Sequence, residues 1–262
     1  MDAIITYRRE WISEYRQAII YYSDMDILSQ LRELRLQGMA GSWQVLTETR
    51  KHHELGLQEG LGLLLQAETE NRDDKRFARL CANAHFRYRA SVEELSLDAA
   101  RGIDRAAVME LATGSYIRKG EAVLVTGATG CGKSFLVSAL GHQACAQGHR
   151  VLYFNLQKLL LRIKMTRVDG TVFKFMDRLS KTDLLILDDF GLVHLDQQQR
   201  LDMMEIMEDR HAKASTIIAS QLPVANWYDV FGDDTIADAV LDRVVHSAHR
   251  IELKGESMRK KK

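Results

Sequence analysis

Proline is almost absent: Pro223 is the only one in 262 residues. No Gly/Ser-rich tract or long internal repeat occurs either, so any domains must be joined by helices or short turns. No run of about 18 apolar residues is present, so no membrane-spanning helix is expected. The start, Met1-Asp2-Ala3-Ile4, lacks a basic segment followed by an apolar core and does not read as a secretory signal. Cysteines are few and odd in number (Cys81, Cys131, Cys145), with no paired spacing. That excludes a disulfide framework and fits a reducing, cytoplasmic setting. Cys81 and His85 lack the second pair that a structural metal site needs; a buried thiol and a surface imidazole are the simpler reading. Net charge is zero, 36 basic against 36 acidic residues, so only local clustering can speak for nucleic acid.

What is present is a P-loop. Gly127, Ala128, Thr129, Gly130, Cys131, Gly132, Lys133 and Ser134 read G-x-x-x-x-G-K-S. An apolar run, Ala122 to Thr126, precedes it as a buried strand, and a helical segment follows from Phe135. Glycines let successive N–H groups converge on phosphate oxygens, and the helix N-terminus adds partial positive charge. In this pattern Lys133 reaches the β- and γ-phosphates and Ser134 ligates Mg²⁺, so ATP and Mg²⁺ are the expected cofactors.

Further strands are expected at Val151–Asn155, Leu184–Asp189, Ser215–Ser220 and Ile251–Leu253. The third ends in two carboxylates, Asp188 and Asp189. After a P-loop this is the Walker B pattern: Asp188 supports the metal and Asp189 polarises the attacking water. Such a site belongs at strand C-terminal ends. The fourth strand ends in Ser220 and Gln221, where a polar group would lie beside the γ-phosphate; Gln221 is the stronger candidate. Two helical pieces, one from Leu156 and one capped by Thr171, separate the second and third strands where one would suffice. A helix around Asp238–His246 carries Arg243, which can serve a neighbouring subunit's γ-phosphate as an arginine finger. Arg259 can act on the nucleotide of its own subunit.

The N-terminal hundred residues are helical in pattern. Ile4, Tyr7, Trp11, Tyr15, Ile19 and Tyr22 recur at steps of three and four, an aromatic-rich face for internal packing or for a partner. A second helix is expected from Ile27 to Gly38, broken by Gly38 and Gly41, with Ser42 capping the next. A further helix runs from Leu55 to Asn71. Arg72, Lys75, Arg76, Arg79, Arg87 and Arg89 then interleave with Phe77, Phe86 and Tyr88, either as a phosphate-neutralising stripe or as a solvated helix face. Arg101–Arg105 marks a turn and a helix start, and Gly114 and Gly120 frame the approach to the first strand.

Taken together, these residues resemble the AAA+ ATPases, and within them the IstB/DnaC-type clade of transposition helpers and helicase loaders. The carrying features are residues 127–134, the extra helix after strand two, Leu-Ile-Leu-Asp-Asp-Phe-Gly at 185–191, Ala-Ser-Gln-Leu-Pro at 219–223, Leu-Asp-Arg-Val-Val-His at 241–246 and Ile-Glu-Leu-Lys-Gly-Glu-Ser-Met-Arg-Lys at 251–260. The last three read more like IstB helpers, as does the segment from Leu31 to Ala40. The resemblance implies an α/β P-loop AAA+ domain with a five-stranded parallel sheet over residues 91–262, preceded by a small all-helical domain over 1–90 for partner or DNA contact.

The implied activity is slow ATP hydrolysis stimulated by DNA or a partner, with ATP driving self-assembly on double-stranded DNA. The implied partners are an IstA-type transposase and further copies joined through ATP-bridged interfaces. Gln221 matches the sensor 1 position, Arg243 the arginine finger and Arg259 sensor 2. Lys158, Arg162, Lys164 and Arg167 fall where the clade faces DNA; Arg76 and Arg79 are the candidates in the N-terminal stripe. Asp189 stands where many AAA+ proteins have Glu, which points to slow turnover. A replicative helicase loader is the alternative of the same fold. A small-molecule kinase and a scaffold that binds ATP without hydrolysis are the alternatives of other classes.

Overall fold

The computed structural model describes residues 26–98, 101–255 and 257. The aromatic-faced segment at 3–22 and Arg259 lie outside them. Contacts divide the chain into two units, one up to Arg76 and one from Phe77.

In the first unit, α1 (Ile27–Glu33) starts at Asp26, whose carboxylate accepts from the Leu28 N–H at 3.3 Å. Helix α2 (Gln37–Glu48) contains Gly38, Gly41 and Ser42, so the expected break at the glycines and the Ser42 cap are both corrected. The reason is tertiary. A Cβ on Gly38 would stand 2.3 Å from the carbonyl oxygen of Ala67, on the third helix, α3 (Leu57–Ala84). Gly38 is there for close approach of two helices, not to end one. The first turn of α2 has no cap from its own chain start. Glu68 of α3 supplies it, accepting from the N–H groups of Gly38 at 2.7 Å and Met39 at 3.3 Å. Four N–H groups at a helix start need acceptors, and a carboxylate suits them electrostatically. Helix α3 is 28 residues long and runs on through Arg72–Arg79, well past the expected end at Asn71.

In the second unit, α4 (Arg105–Ala112) and α5 (Ser115–Lys119) lead to the sheet. Asp104 caps α4, accepting from the Ala106 N–H at 2.8 Å. The remaining elements alternate: β1 (Val123–Gly127), α6 (Lys133–Ala146), β2 (Val151–Asn155), α7 (Leu156–Val168), α8 (Val172–Ser180), β3 (Leu184–Phe190), α9 (Gln197–Arg210), β4 (Ser215–Ser220), α10 (Trp227–Phe231), α11 (Asp234–Val245) and β5 (His249–Leu253). Thr171 precedes α8 without making a side-chain cap, a second small correction. All five strands are parallel, in the order β2-β3-β4-β1-β5.

The strands are apolar on both faces, as a sheet covered twice must be. Leu124, Leu152, Leu185, Leu187 and Ile218 pack with α7–α11 on one side. Val125, Tyr153, Leu184, Ile186, Ile217 and Ile251 pack with α4–α6 on the other. Each such side chain contributes about 1.5–3 kcal/mol relative to exposure. One buried cation ties the strand N-terminal edge. Arg210, 1% exposed, donates to the Thr216 hydroxyl at 3.0 Å and to the carbonyls of Leu179, Thr182 and Ser215. Burial pushes its pKa down to about 10, so it is still charged at neutral pH.

No helix among the described residues is long and apolar enough to cross a membrane.

Candidate functional site

The topology brings three loops to one place. Because β4 lies between β1 and β3, whatever follows β4 sits between the P-loop after β1 and the carboxylates ending β3. All three lie at strand C-terminal ends, where parallel sheets collect ligands.

The P-loop is a backbone cradle. Gly127, Gly130 and Gly132 have φ of +146°, +83° and +101°, conformations that L side chains rarely adopt. Space is as limiting as conformation. A Cβ on Gly127 would meet the Leu253 carbonyl oxygen at 2.3 Å, and one on Gly130 the Ser257 hydroxyl at 2.2 Å. Lys133 opens α6 and is 6% exposed. Its ammonium donates to the carbonyls of Gly127 and Ala128 at 2.7 and 2.9 Å. The positive charge is therefore already inside the curl where phosphate oxygens would lie. Cys131 is buried, and its carbonyl accepts from the Arg101 guanidinium at 2.6 Å.

Gln221 meets this loop directly: the Thr129 hydroxyl donates to its Oε1 at 2.5 Å. Ser220 serves the turn instead. It is buried, donates to the Phe190 carbonyl at 2.8 Å and accepts from the Leu222 N–H at 3.0 Å. A cavity of about 470 Å³ opens beside the loop, lined by Thr126, Gly127, Ala128, Gln221, Arg250 and Glu252.

The carboxylate pair has its own geometry. Successive strand residues point to opposite faces, yet Asp188 and Asp189 face one cation. Asp189 has φ +59°, and the β3–β4 register shifts between Leu187 and Phe190. This bulge turns the two side chains toward each other's surroundings. A non-glycine residue held in that conformation costs about 1–3 kcal/mol, a strain that collects at functional sites. Asp188 is fully buried. One of its oxygens accepts from the Asp189 N–H at 2.9 Å and the other from the Tyr153 hydroxyl. Burial first, and then this bond to Asp188, push the Tyr153 phenol well above its ordinary range, so it remains a donor. Asp189 Oδ2 accepts from Asn155 Nδ2 at 2.9 Å and from the Arg87 guanidinium at 3.2 Å. Arg87 also stands 3.5 Å from Asp188 Oδ2. Tyr153, Asn155, Arg87 and Arg101 are contributors that sequence reading missed as site residues. A polar Asn closing a strand was the available signal for Asn155; nothing local marked the others.

The remaining candidates lie elsewhere. Arg243 is on α11, paired with Glu208 of α9. It lines a small cleft with Gly120, Ala122 and Arg210 at the strand N-terminal edge, a strand length of roughly 15 Å from the P-loop end of the sheet. Lys158, Arg162, Lys164 and Arg167 are exposed on α7. Arg162 stacks over the Phe175 ring at 5.1 Å, and Arg167 pairs with Asp202. Arg76 and Arg79 are exposed on α3. Phe86 and Tyr88 face α6: Phe86 stacks on His142 with ring centroids 4.2 Å apart, and Tyr88 lies 6.2 Å from Phe135. Among the described residues, no group of three or more His, Cys, Asp or Glu can hold a metal. The Ser134 hydroxyl and Asp188 are the protein oxygens that could hold a metal ion carried by nucleotide phosphates.

A P-loop, a carboxylate pair and a polar residue between them, on a sheet of this strand order, define a nucleotide-binding protein of the AAA+ class. Within that class the chain belongs to the IstB-like ATP binding protein family, whose model matches residues 29–262. It is 42% identical to the insertion sequence ATP-binding protein y4pL of Sinorhizobium fredii, over 89% of this chain and 95% of that one. It is 30% identical to the ATP-binding protein of insertion sequence IS21 from Pseudomonas aeruginosa, over 88% of this chain and 87% of that one. The fold is like that of DnaI, with a TM-score of 0.55 at 18% identity, covering 68% of this chain and 94% of that chain.

Proposed function

We propose that this protein is an ATP-dependent, DNA-binding regulator of transposition that assembles on duplex DNA with ATP, works with the transposase of its insertion sequence, and hydrolyses ATP. The observation that carries this reading is the convergence of Lys133, Asp188, Asp189 and Gln221 at one end of the sheet, in a chain whose relatives are named insertion sequence ATP-binding proteins. In this reading the P-loop N–H groups and Lys133 bind and neutralise the phosphates. Ser134 and Asp188 would hold Mg²⁺, which would supply charge stabilisation to the transferred phosphoryl group. Asp189 accepts the proton of the attacking water, and Gln221 orients that water.

Arg243 completes the site of a neighbouring copy. Its distance from its own P-loop supports a role in trans, and so does an ion pair with Glu208 that a stronger anion can displace. Lys158, Arg162 and Lys164 give α7 an exposed basic face for DNA phosphates. Arg167, already paired with Asp202, contributes less. Arg76 and Arg79 are candidates for phosphate contact on α3, and Arg259, outside the described residues, is the sensor 2 candidate.

The test is ATP turnover with and without duplex DNA, alongside Lys133→Ala, together with capture of partners. Turnover that rises with DNA, is lost in Lys133→Ala and accompanies transposase association supports the reading. Association with a replicative helicase and no transposase makes the protein a loader instead. Phosphate transfer to a small acceptor, indifferent to DNA, makes it a kinase.

A further inference from the structure

Arg87 is one of six basic residues that the sequence places in a stripe suited to DNA, and its side chain does something else. Its guanidinium lies 3.2 Å from Asp189 Oδ2 and 3.5 Å from Asp188 Oδ2. The backbone that carries it is anchored on both sides, while the side chain itself stays free to move. Helix α3 ends at Ala84, and His85 turns the chain with φ +58°. Phe86 then stacks on His142 of α6. It fills the space above Gly141, where an added Cβ would stand 2.4 Å from the Phe86 ring and 2.9 Å from Ile186 Cδ1. Two residues on, Tyr88 lies beside Phe135 of the same helix, and the Arg87 guanidinium sits 5.6 Å from the Tyr88 ring centroid. Ala90 and Val92 are buried with Ala139. The segment is thus clamped along the P-loop helix by its aromatic and small apolar residues, and Arg87 is left facing the carboxylate pair.

We propose that Arg87 is a positioning residue that closes the Asp188–Asp189 pair against magnesium, and that it must withdraw before the pair can serve hydrolysis. This rests on the reading of the pair as the metal-supporting and water-activating carboxylates. The physical ground is competition. Two carboxylates carry two negative charges, and a guanidinium within ion-pair distance of both, hydrogen-bonded to Asp189, neutralises one of them and occupies the approach. A divalent ion with its water shell needs the same oxygens and repels the same cation. Arg87 is 41% exposed on its side chain against 0% for Asp188 and 20% for Asp189. The latch is therefore solvent-reachable on the arginine side and can swing out without unfolding its anchor. The hold it exerts is that of a partly screened ion pair, so its removal shifts the metal requirement by about fivefold and not by orders of magnitude.

The experiment uses the full chain and a fluorescent, non-hydrolysable ATP analogue, titrated with Mg²⁺. Arg87→Gln and Arg87→Met are compared with wild type, with Lys133→Ala as the non-binding control and unfolding midpoints recorded for all. The expected result is an Mg²⁺ half-saturation about fivefold lower in both variants and, in a parallel assay with ATP itself, a raised rate of hydrolysis in the absence of DNA. A merely structural Arg87 would lower the unfolding midpoint and leave the Mg²⁺ midpoint in place, which overturns the proposal. A raised Mg²⁺ midpoint, or loss of analogue binding in both variants, overturns it as well, by making Arg87 a ligand-holding group. If wild type binds no analogue at any Mg²⁺ concentration, the nucleotide reading itself fails. If wild type binds and the variants match it, only the latch fails.

Discussion

Removing one hydroxyl from Tyr153 tests how the buried Asp188 carboxylate is held. Asp188 is fully buried, and one of its oxygens takes its hydrogen bond from the Tyr153 phenol. The other is bonded to the Asp189 N–H at 2.9 Å. Tyr153→Phe keeps the ring, which packs edge-on to Phe86 at 6.3 Å, and deletes only the donor. A hydrogen bond to a charged group contributes about 1.5–3 kcal/mol, and leaving the buried partner unsatisfied carries most of that cost. At about 2–4 °C per kcal/mol for a unit of this size, the nucleotide-binding unit should melt roughly 3–12 °C lower. The charge on Asp188 is the stated cause, so the cycle with Asp188→Asn gives the sharper number. In the Asn background the same tyrosine change should cost at least about 1 kcal/mol less. Calorimetry or denaturant unfolding of the four proteins measures it. Costs that add within about 0.5 kcal/mol would refute the argument that the phenol stabilises a buried charge.

Gly38→Ala should destabilise the N-terminal unit by about 1–3 kcal/mol, because its Cβ would meet Ala67 backbone at 2.3 Å; Gly41→Ala, with open space around it, should be neutral or stabilising in the same melt. Glu68 should make that unit acid-sensitive. Burial alone would raise its carboxyl, but Arg72 and the N–H groups of Met39 and Gly38 hold it below its ordinary 4.5. A carboxylate depressed in the folded state stabilises fully above its unfolded value and loses that contribution as pH falls through the folded one. Circular dichroism should show the loss setting in below about pH 4.5, and Glu68→Gln should flatten that part of the profile.

The strands and the P-loop were legible because their signals are local. Val151–Asn155 and Ser215–Ser220 coincide with the structure, since short apolar runs bounded by turns have few other solutions. Helix α9 was not assigned, although Asp196 and Gln199 form a capping box ahead of it and Met203, Ile206 and Met207 give it an apolar face. The surrounding Gln, Asp, Glu and Arg residues masked that stripe. Gly38 misled for a physical reason. A glycine that ends a helix and one that lets two helices touch look alike in sequence, and only the partner backbone distinguishes them. Arg87 was read with its basic neighbours because its hydrogen-bond partner Asp189 is 102 residues away. The bulge that brings Asp188 and Asp189 to one cation had no signal in the sequence, because positive φ is uncommon for any residue but glycine and two adjacent aspartates do not tell which would adopt it.

The central claim is that ATP held between copies joins them on DNA, with Arg243 reaching from one copy to the next. Light-scattering mass, measured with ATP analogue and duplex DNA together and with each alone, tests it most directly. Wild type should form an oligomer only when nucleotide is present, and Arg243→Ala should bind the analogue normally yet remain a single subunit. A wild-type protein that stays monomeric with both ligands in excess, or an Arg243→Ala protein that assembles like wild type, would contradict the account.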